Sequence, residues 1–242
     1  MRKIISNSFP SKYEYSIQDS GILELENRTT YFNEGQMWPI VGTDLGYLSI
    51  AKCMSTSFVE FLRLQNLLSD HFLFSNNRLE HQLYDIKKKL VFLRDPSRRY
   101  MSGIAEYIGM KFGSDISTMS KQTLLHIVQA LIGITDVDEH SIEQIHFFKG
   151  YNLNKFSVFM IDNNFSEQQL FDWMRDNGVK FREDIKLRLP KLNITEDNEI
   201  KKKIYDAVHS VCFRHGSQIK HKCQGDYNLI DYFKTNGQVV NA

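Results

Sequence analysis

The hydrophobic and polar positions change their rhythm at Leu45. Residues 1–44 are polar and irregular and read as an N-terminal extension able to form a hairpin. From there, LGYLSIA is a short apolar run rich in β-formers, and TSFVEFLRLQNLLSDH follows with helical spacing, which predicts a strand, a tight turn and a helix. HFLF (71–74) predicts a second strand, 78–88 a helix or loop, and KLVFLR (89–94) a third strand stopped by Asp95-Pro96. A helix over about 97–112 comes next.

Further on, TMSKQTLLHIVQALIG predicts an amphipathic helix ending near Gly133, and KFSVFMI (155–161) another strand. Ser166 to Gln169 is a capping-box pattern ahead of LFDWMRDNG, with Gly178 as the stop. The stretches from Thr195 to about Phe213 and from Asp226 to Phe233 read as helical. Strands alternating with helices imply an α/β fold with a central, mainly parallel sheet flanked by helices, and a helical C-terminal part. Phe147, Phe148, Phe171 and Trp173 are expected in the core.

Charge narrows the partners. Lys and Arg number 30 against 29 Asp and Glu, so no bulk polyanion such as nucleic acid is implied, and any anion site must be local. Cys53, Cys212 and Cys223 are too irregularly spaced for a disulfide framework and suit a reducing compartment. With no apolar run of signal or membrane length, the expected location is cytoplasmic, without a membrane partner. His209, Cys212, His215, His221 and Cys223 resemble a zinc set only superficially, because their spacing spreads them around a helix.

Two strand-to-helix junctions carry chemistry. In an open parallel sheet, ligands bind outside the carboxyl ends of the strands, where helix N-termini offer unpaired N–H groups. At the first junction Lys52, Cys53 and Met54 lead into Ser55, Thr56 and Ser57, three consecutive hydroxyls opening a helix. Backbone amides and hydroxyls can surround a phosphate or sulfate there, with the lysine as a mobile charge. It is not a Walker loop, since G-x-x-x-x-G-K-[ST] is absent. At the second junction Arg94 leaves a strand, Asp95 or Ser97 caps the helix, and Arg99 and Ser102 lie three apart on it. Two guanidinium groups and a hydroxyl would make a bidentate oxyanion grip.

Together these segments resemble the binding motifs for 3′-phosphoadenosine 5′-phosphosulfate (PAPS) in the sulfotransferase superfamily. The Lys52 segment is similar to the family's K-x-x-[ST]-[ST]-[ST]-like loop for the 5′-phosphosulfate. Arg94-Asp95-Pro96, Arg99 and Ser102 match R-D-P-x-x-R-x-x-S, which holds the 3′-phosphate. Asp138-Glu139-His140-Ser141-Ile142-Glu143-Gln144 resembles the D-E-H-W-x-P-Q block of carbohydrate sulfotransferases, and Asp226 to Phe233 their closing helix. Ala51 replaces the usual Pro, Met54 a small residue and Ser141 a Trp, changes that bear on the shape of the first loop and on the acceptor.

The resemblance implies a P-loop-like three-layer fold, with 45–242 as a single sulfotransferase domain and 1–44 packed on it. It implies PAPS as co-substrate, no metal, and a hydroxyl acceptor of saccharide type. Lys52 and His81 are the implied catalytic pair, with Glu80, His71 and His140 as other candidates for the base. A P-loop-type nucleotide kinase and a non-catalytic nucleotide-binding protein are the competing readings.

Overall fold

The structure is a computed structural model that describes residues 2–6, 13–25, 35–73, 86–133, 140–163, 165–191 and 199–241. Its centre is a mixed four-stranded sheet in the order β4-β5-β6-β7, formed by Gln36–Pro39, Leu45–Ser49, Lys88–Arg94 and Phe156–Ile161. β4 runs antiparallel to β5, whereas β5, β6 and β7 are mutually parallel. Helices flank it, so the expected α/β class with a mainly parallel sheet holds.

β6 is buried at five successive positions, Lys89 to Leu93, which is the pattern of a strand covered on both faces. On one face Phe92, Tyr47 and Phe159 meet α1 (Ser55–Leu64) and α5 (Glu167–Asp176). Phe58 of α1 stands edge-on to both Tyr47 at 4.6 Å and Phe92 at 4.8 Å, and Phe159 meets Trp173 at 5.8 Å. On the other face Phe156 packs on Phe148 and on Phe233 of α8 (Gln224–Thr235). All four predicted core aromatics therefore line this core, Trp173 only partly buried.

A second core is purely helical. It joins α2 (Pro96–Phe112) and α4 (Lys121–Gly133), which are separated by the short α3 (Asp115–Thr118), to α6 (Glu199–Arg214) and α7 (Gly216–Lys222). Ile104, Ile108, Val128 and Val208 are its fully buried centre. The predicted cap at Ser166 is present, its hydroxyl accepting from the Gln169 N–H, and Gly178 takes φ 85° just beyond α5.

The N-terminal residues are more integrated than an extension. Arg2–Ser6 (β1), Tyr13–Ile17 (β2) and Leu23–Leu25 (β3) form an antiparallel sheet, tied to the main body where Leu23 exchanges backbone hydrogen bonds with Gly150 and Tyr151. The expected boundary at 44 falls inside the β4–β5 connection, so the edge strand of the main sheet lies before it. Of the expected strand HFLF, Phe74 lies outside the described residues, and His71 to Leu73 form no strand of the parallel sheet. Leu73 instead makes an isolated antiparallel bridge to Met37, covering the outer edge of β4. The opposite edge, on β7, is covered by the C-terminal segment, where Val158 bonds Gln238 and Val240. Among the described residues no helix is long and apolar enough to cross a membrane.

Because Phe92 touches aromatic rings from α1, β5 and β7, removing it leaves a cavity that four elements cannot easily close. Phe92→Ala should cost about 3–5 kcal/mol in urea unfolding. Phe213→Ala, at a ring 83% exposed on α6, should change stability by less than about 0.5 kcal/mol.

Candidate anion-binding cleft

β5 and β6 are neighbouring parallel strands, so their carboxyl ends lie side by side and deliver two helix starts to one place. A cleft of about 650 Å³ opens there. Its walls include Lys52, Met54, Ser55, Thr56 and Ser57 from the first junction, and Arg94 and Ser102 from the second. Seven of the nine expected binding positions therefore share one space. The volume lies within the ~300–1,000 Å³ usual for small-molecule sites.

The two helix starts differ physically. α2 is capped by its own sequence, the Asp95 carboxylate accepting from the Arg98 N–H at 2.8 Å with Pro96 behind it. The Asp95 carboxylate already occupies this helix start, so an anion there is met by side chains. α1 has no side-chain cap and no acidic residue in its first turn. Helix starts lack intrahelical partners for their first N–H groups, so α1 keeps amide donors and its positive dipole end for a ligand.

The loop into α1 is strained. Lys52 (φ 64°) and Met54 (φ 61°) both occupy the left-handed region that favours glycine. Such conformations cost about 1–3 kcal/mol each and persist where surrounding contacts enforce them. Two contacts do so here. Arg99 donates from Nε to the Ala51 carbonyl at 2.9 Å, and Cys53 donates its thiol proton to Gln144 Oε1 at 3.1 Å.

These contacts change the expected roles of Arg99 and Cys53. The Arg99 side chain is 1% exposed and also bonds the Ile142 carbonyl, so its guanidinium clamps backbone and is absent from the cleft wall. The reason is register: Arg99 sits one turn before Gly103 on the buried stripe of α2, while Ser102 faces the cleft. Cys53 is fully buried, and burial pushes its thiol up to about 11, so it serves as a neutral donor beneath the loop.

Gln144 links the two junctions. Besides the Cys53 thiol, its Oε1 accepts from the Arg94 N–H at 3.1 Å, while Nε2 donates to the Arg94 carbonyl at 3.1 Å and to Asp226 Oδ2 at 3.2 Å. Asp226 Oδ1 accepts from the Ile145 N–H, and Glu143 Oε1 accepts from the Gly225 and Asp226 N–H groups at the start of α8. Glu143 and Gln144 of the one motif and Asp226 of the closing helix, far apart in the chain, thus share one buried network. Its anchored member is Arg94, whose guanidinium stays in the cleft; among the described residues it has no protein acceptor, and the same holds for the hydroxyls of Ser55, Thr56, Ser57 and Ser102.

Two of the four expected bases, His71 and His140, are described. His81 and Glu80 lie outside the described residues. His71 is exposed in the segment after α1 and does not line the cleft, whereas His140 does. Glu106 was not anticipated: its Oε2 is 3.2 Å from Lys52 Nζ, and it lines the cleft one turn after Ser102. The spacing of four from Ser102 was the available signal, since i and i+4 share a helix face.

Comparison with known proteins finds no match to a protein-family model, a curated protein or a solved structure. The reading of the cleft therefore rests on its geometry and on the motifs in the chain.

Two tests follow from these contacts. A Cβ on Gly103 would sit 2.0 Å from the His140 carbonyl oxygen, so α2 needs glycine to approach the 140 segment. Gly103→Ala should cost about 1–3 kcal/mol in denaturant unfolding, as overpacking does. His146 is hydrogen-bonded to the Tyr15 hydroxyl, and burial, with Arg99 nearby, lowers its pKa from 6.5 to about 3. Below 6.5 the unfolded chain therefore binds a proton that the folded chain refuses, and stability falls as pH drops from about 6.5 toward about 3. Its contribution should approach 1.4 kcal/mol per pH unit within that window. Urea titrations of His146→Gln should be flatter there than those of the parent protein.

Proposed function

We propose that this chain is a sulfotransferase that moves a sulfuryl group from PAPS to a hydroxyl acceptor, with a saccharide as the acceptor class implied by the motifs. The observation that carries this reading is the shared cleft: Lys52 and the uncapped hydroxyl-rich start of α1 face the same space as Arg94 and Ser102. A donor with phosphate groups at both ends of a ribose needs two anion cradles in one groove. The flanked, mainly parallel sheet with its site at the strand ends agrees with a P-loop-like three-layer architecture.

In this reading Lys52 neutralises charge that develops on the leaving phosphate oxygen, and Ser55, Thr56, Ser57 and the α1 amides hold the phosphosulfate oxygens. Arg94 and Ser102 hold the 3′-phosphate. Arg99 and Cys53 act from below, Arg99 by fixing the Ala51 carbonyl and Cys53 through Gln144, so the left-handed turn at Lys52 is preorganised. Positioning and electrostatic stabilisation are the terms the protein supplies to such an in-line displacement.

Adenosine 3′,5′-bisphosphate should raise the melting temperature more than adenosine 5′-monophosphate does, and Arg94→Ala or Ser102→Ala should abolish the difference. Equal protection by the monophosphate would remove the second cradle from the proposal. With radiolabelled PAPS and a panel of sugars and phenols, Lys52→Ala should lose about 10²–10³-fold in transfer rate. Tight donor binding with no transfer to any acceptor would instead make the chain a nucleotide-binding protein.

A further inference from the structure

We infer that Glu106 is the proton acceptor of this reaction, an assignment that rests on the sulfotransferase reading and adds a catalytic group to it. Three observations lead there. Glu106 lines the cleft on the same face of α2 as Ser102. Its carboxylate touches the Lys52 ammonium at 3.2 Å. The pair is partly exposed, with side chains 22% and 46% accessible, and solvent-screened pairs of this kind contribute little to stability.

Stability therefore gives little reason for the carboxylate to be there, and binding gives a reason against it. A negative charge among Lys52, Arg94 and three hydroxyls weakens the attraction for a polyanionic donor. What it offers in return is reach. Lys52 is the group that meets the reacting phosphosulfate, so a base in contact with Lys52 stands beside the bond being exchanged, as a general base must. The charged and titratable groups facing Glu106 across the cleft are Lys52 from the first loop, Arg94 from the end of β6, His140 from the 140 segment, and Lys201 and Tyr205 from α6.

The step balances without a further reagent. An oxygen lone pair of the acceptor forms the new O–S bond while the S–O bond to the 5′-phosphate breaks, its electron pair leaving with adenosine 3′,5′-bisphosphate. The acceptor hydroxyl proton passes to the Glu106 carboxylate, which returns it to solvent after the products depart. Lys52 stays between the carboxylate and the departing oxygen.

The test compares the parent chain with Glu106→Gln and His81→Ala, using PAPS with the acceptor panel and with water alone as acceptor. Glu106→Gln should lower kcat by about 10²–10⁴-fold and flatten the acid limb of the pH–rate profile, where a general base loses activity by protonation. Its affinity for adenosine 3′,5′-bisphosphate, read by calorimetry, should equal or exceed that of the parent, which a misfolded variant could not achieve. Retention of more than a tenth of the parent kcat with the acid limb intact overturns the assignment. So does loss of that limb in His81→Ala while Glu106→Gln keeps it. If the parent chain binds the bisphosphate but consumes no PAPS under any condition, the sulfotransferase reading itself falls.

Discussion

The buried amide of Gln144 is the constraint on which the cleft depends. One side chain satisfies both backbone polar groups of Arg94, accepts the Cys53 thiol proton and donates to Asp226. Each of those partners lies on a different segment: the end of β6, the loop into α1, and the first turn of α8. A buried polar group left without a partner costs about 1–3 kcal/mol, so the three segments cannot separate without several such costs at once. The spatial relation between the two junctions is thereby held by hydrogen bonding beneath them, and the side chains above line the cleft.

Arg99 completes this support from the other direction. Its guanidinium joins the carbonyls of Ala51 and Ile142 and lies 5.5 Å from the centre of the Phe147 ring. A buried cation also acts on its neighbours: it opposes the upward push that burial exerts on the Asp226 carboxyl, and adds to the downward push on His146. The R-D-P-x-x-R-x-x-S segment thus divides its two arginines between tasks. Arg94 points into the cleft, whereas Arg99 holds the wall.

The contrast between the two helix starts follows the same economy. Asp95 caps α2 with its own carboxylate, and a second anion at that terminus would meet a negative charge already in place. Met54 offers α1 no such cap and sits in a conformation unfavourable to it, one that the Arg99 and Cys53 contacts around the loop enforce. The sulfotransferase pattern that this loop resembles has a small residue at that position, and φ 61° is a conformation that glycine adopts more easily.

Most of the architecture was readable from periodicity. KLVFLR, KFSVFMI and LGYLSIA became β6, β7 and β5, and the helices at 97–112 and 166–178 appeared with the predicted caps, because local backbone preferences and burial agree in those segments. HFLF failed because so short an apolar run is consistent with a single bridge to an edge strand as well as with a strand, and only the position of β4 brings Leu73 to Met37. The residues 36–39 were likewise hidden, since an edge strand exposed on one side carries too weak a pattern to separate it from a loop.

At the site, residue types and spacing determined that two oxyanion cradles could exist, one led by Lys52 and one by Arg94. Tertiary structure decided which members face a ligand. Arg99 and Ser102, three apart, looked equivalent along the chain, yet the approach of the 140 segment to Gly103 buries one and leaves the other in the cleft. Glu106 acquired its meaning only when β5 and β6 lay side by side and brought Lys52 to it. Sequence spacing specifies which face of a helix a side chain occupies; what stands opposite that face is set by packing between segments far apart in the chain.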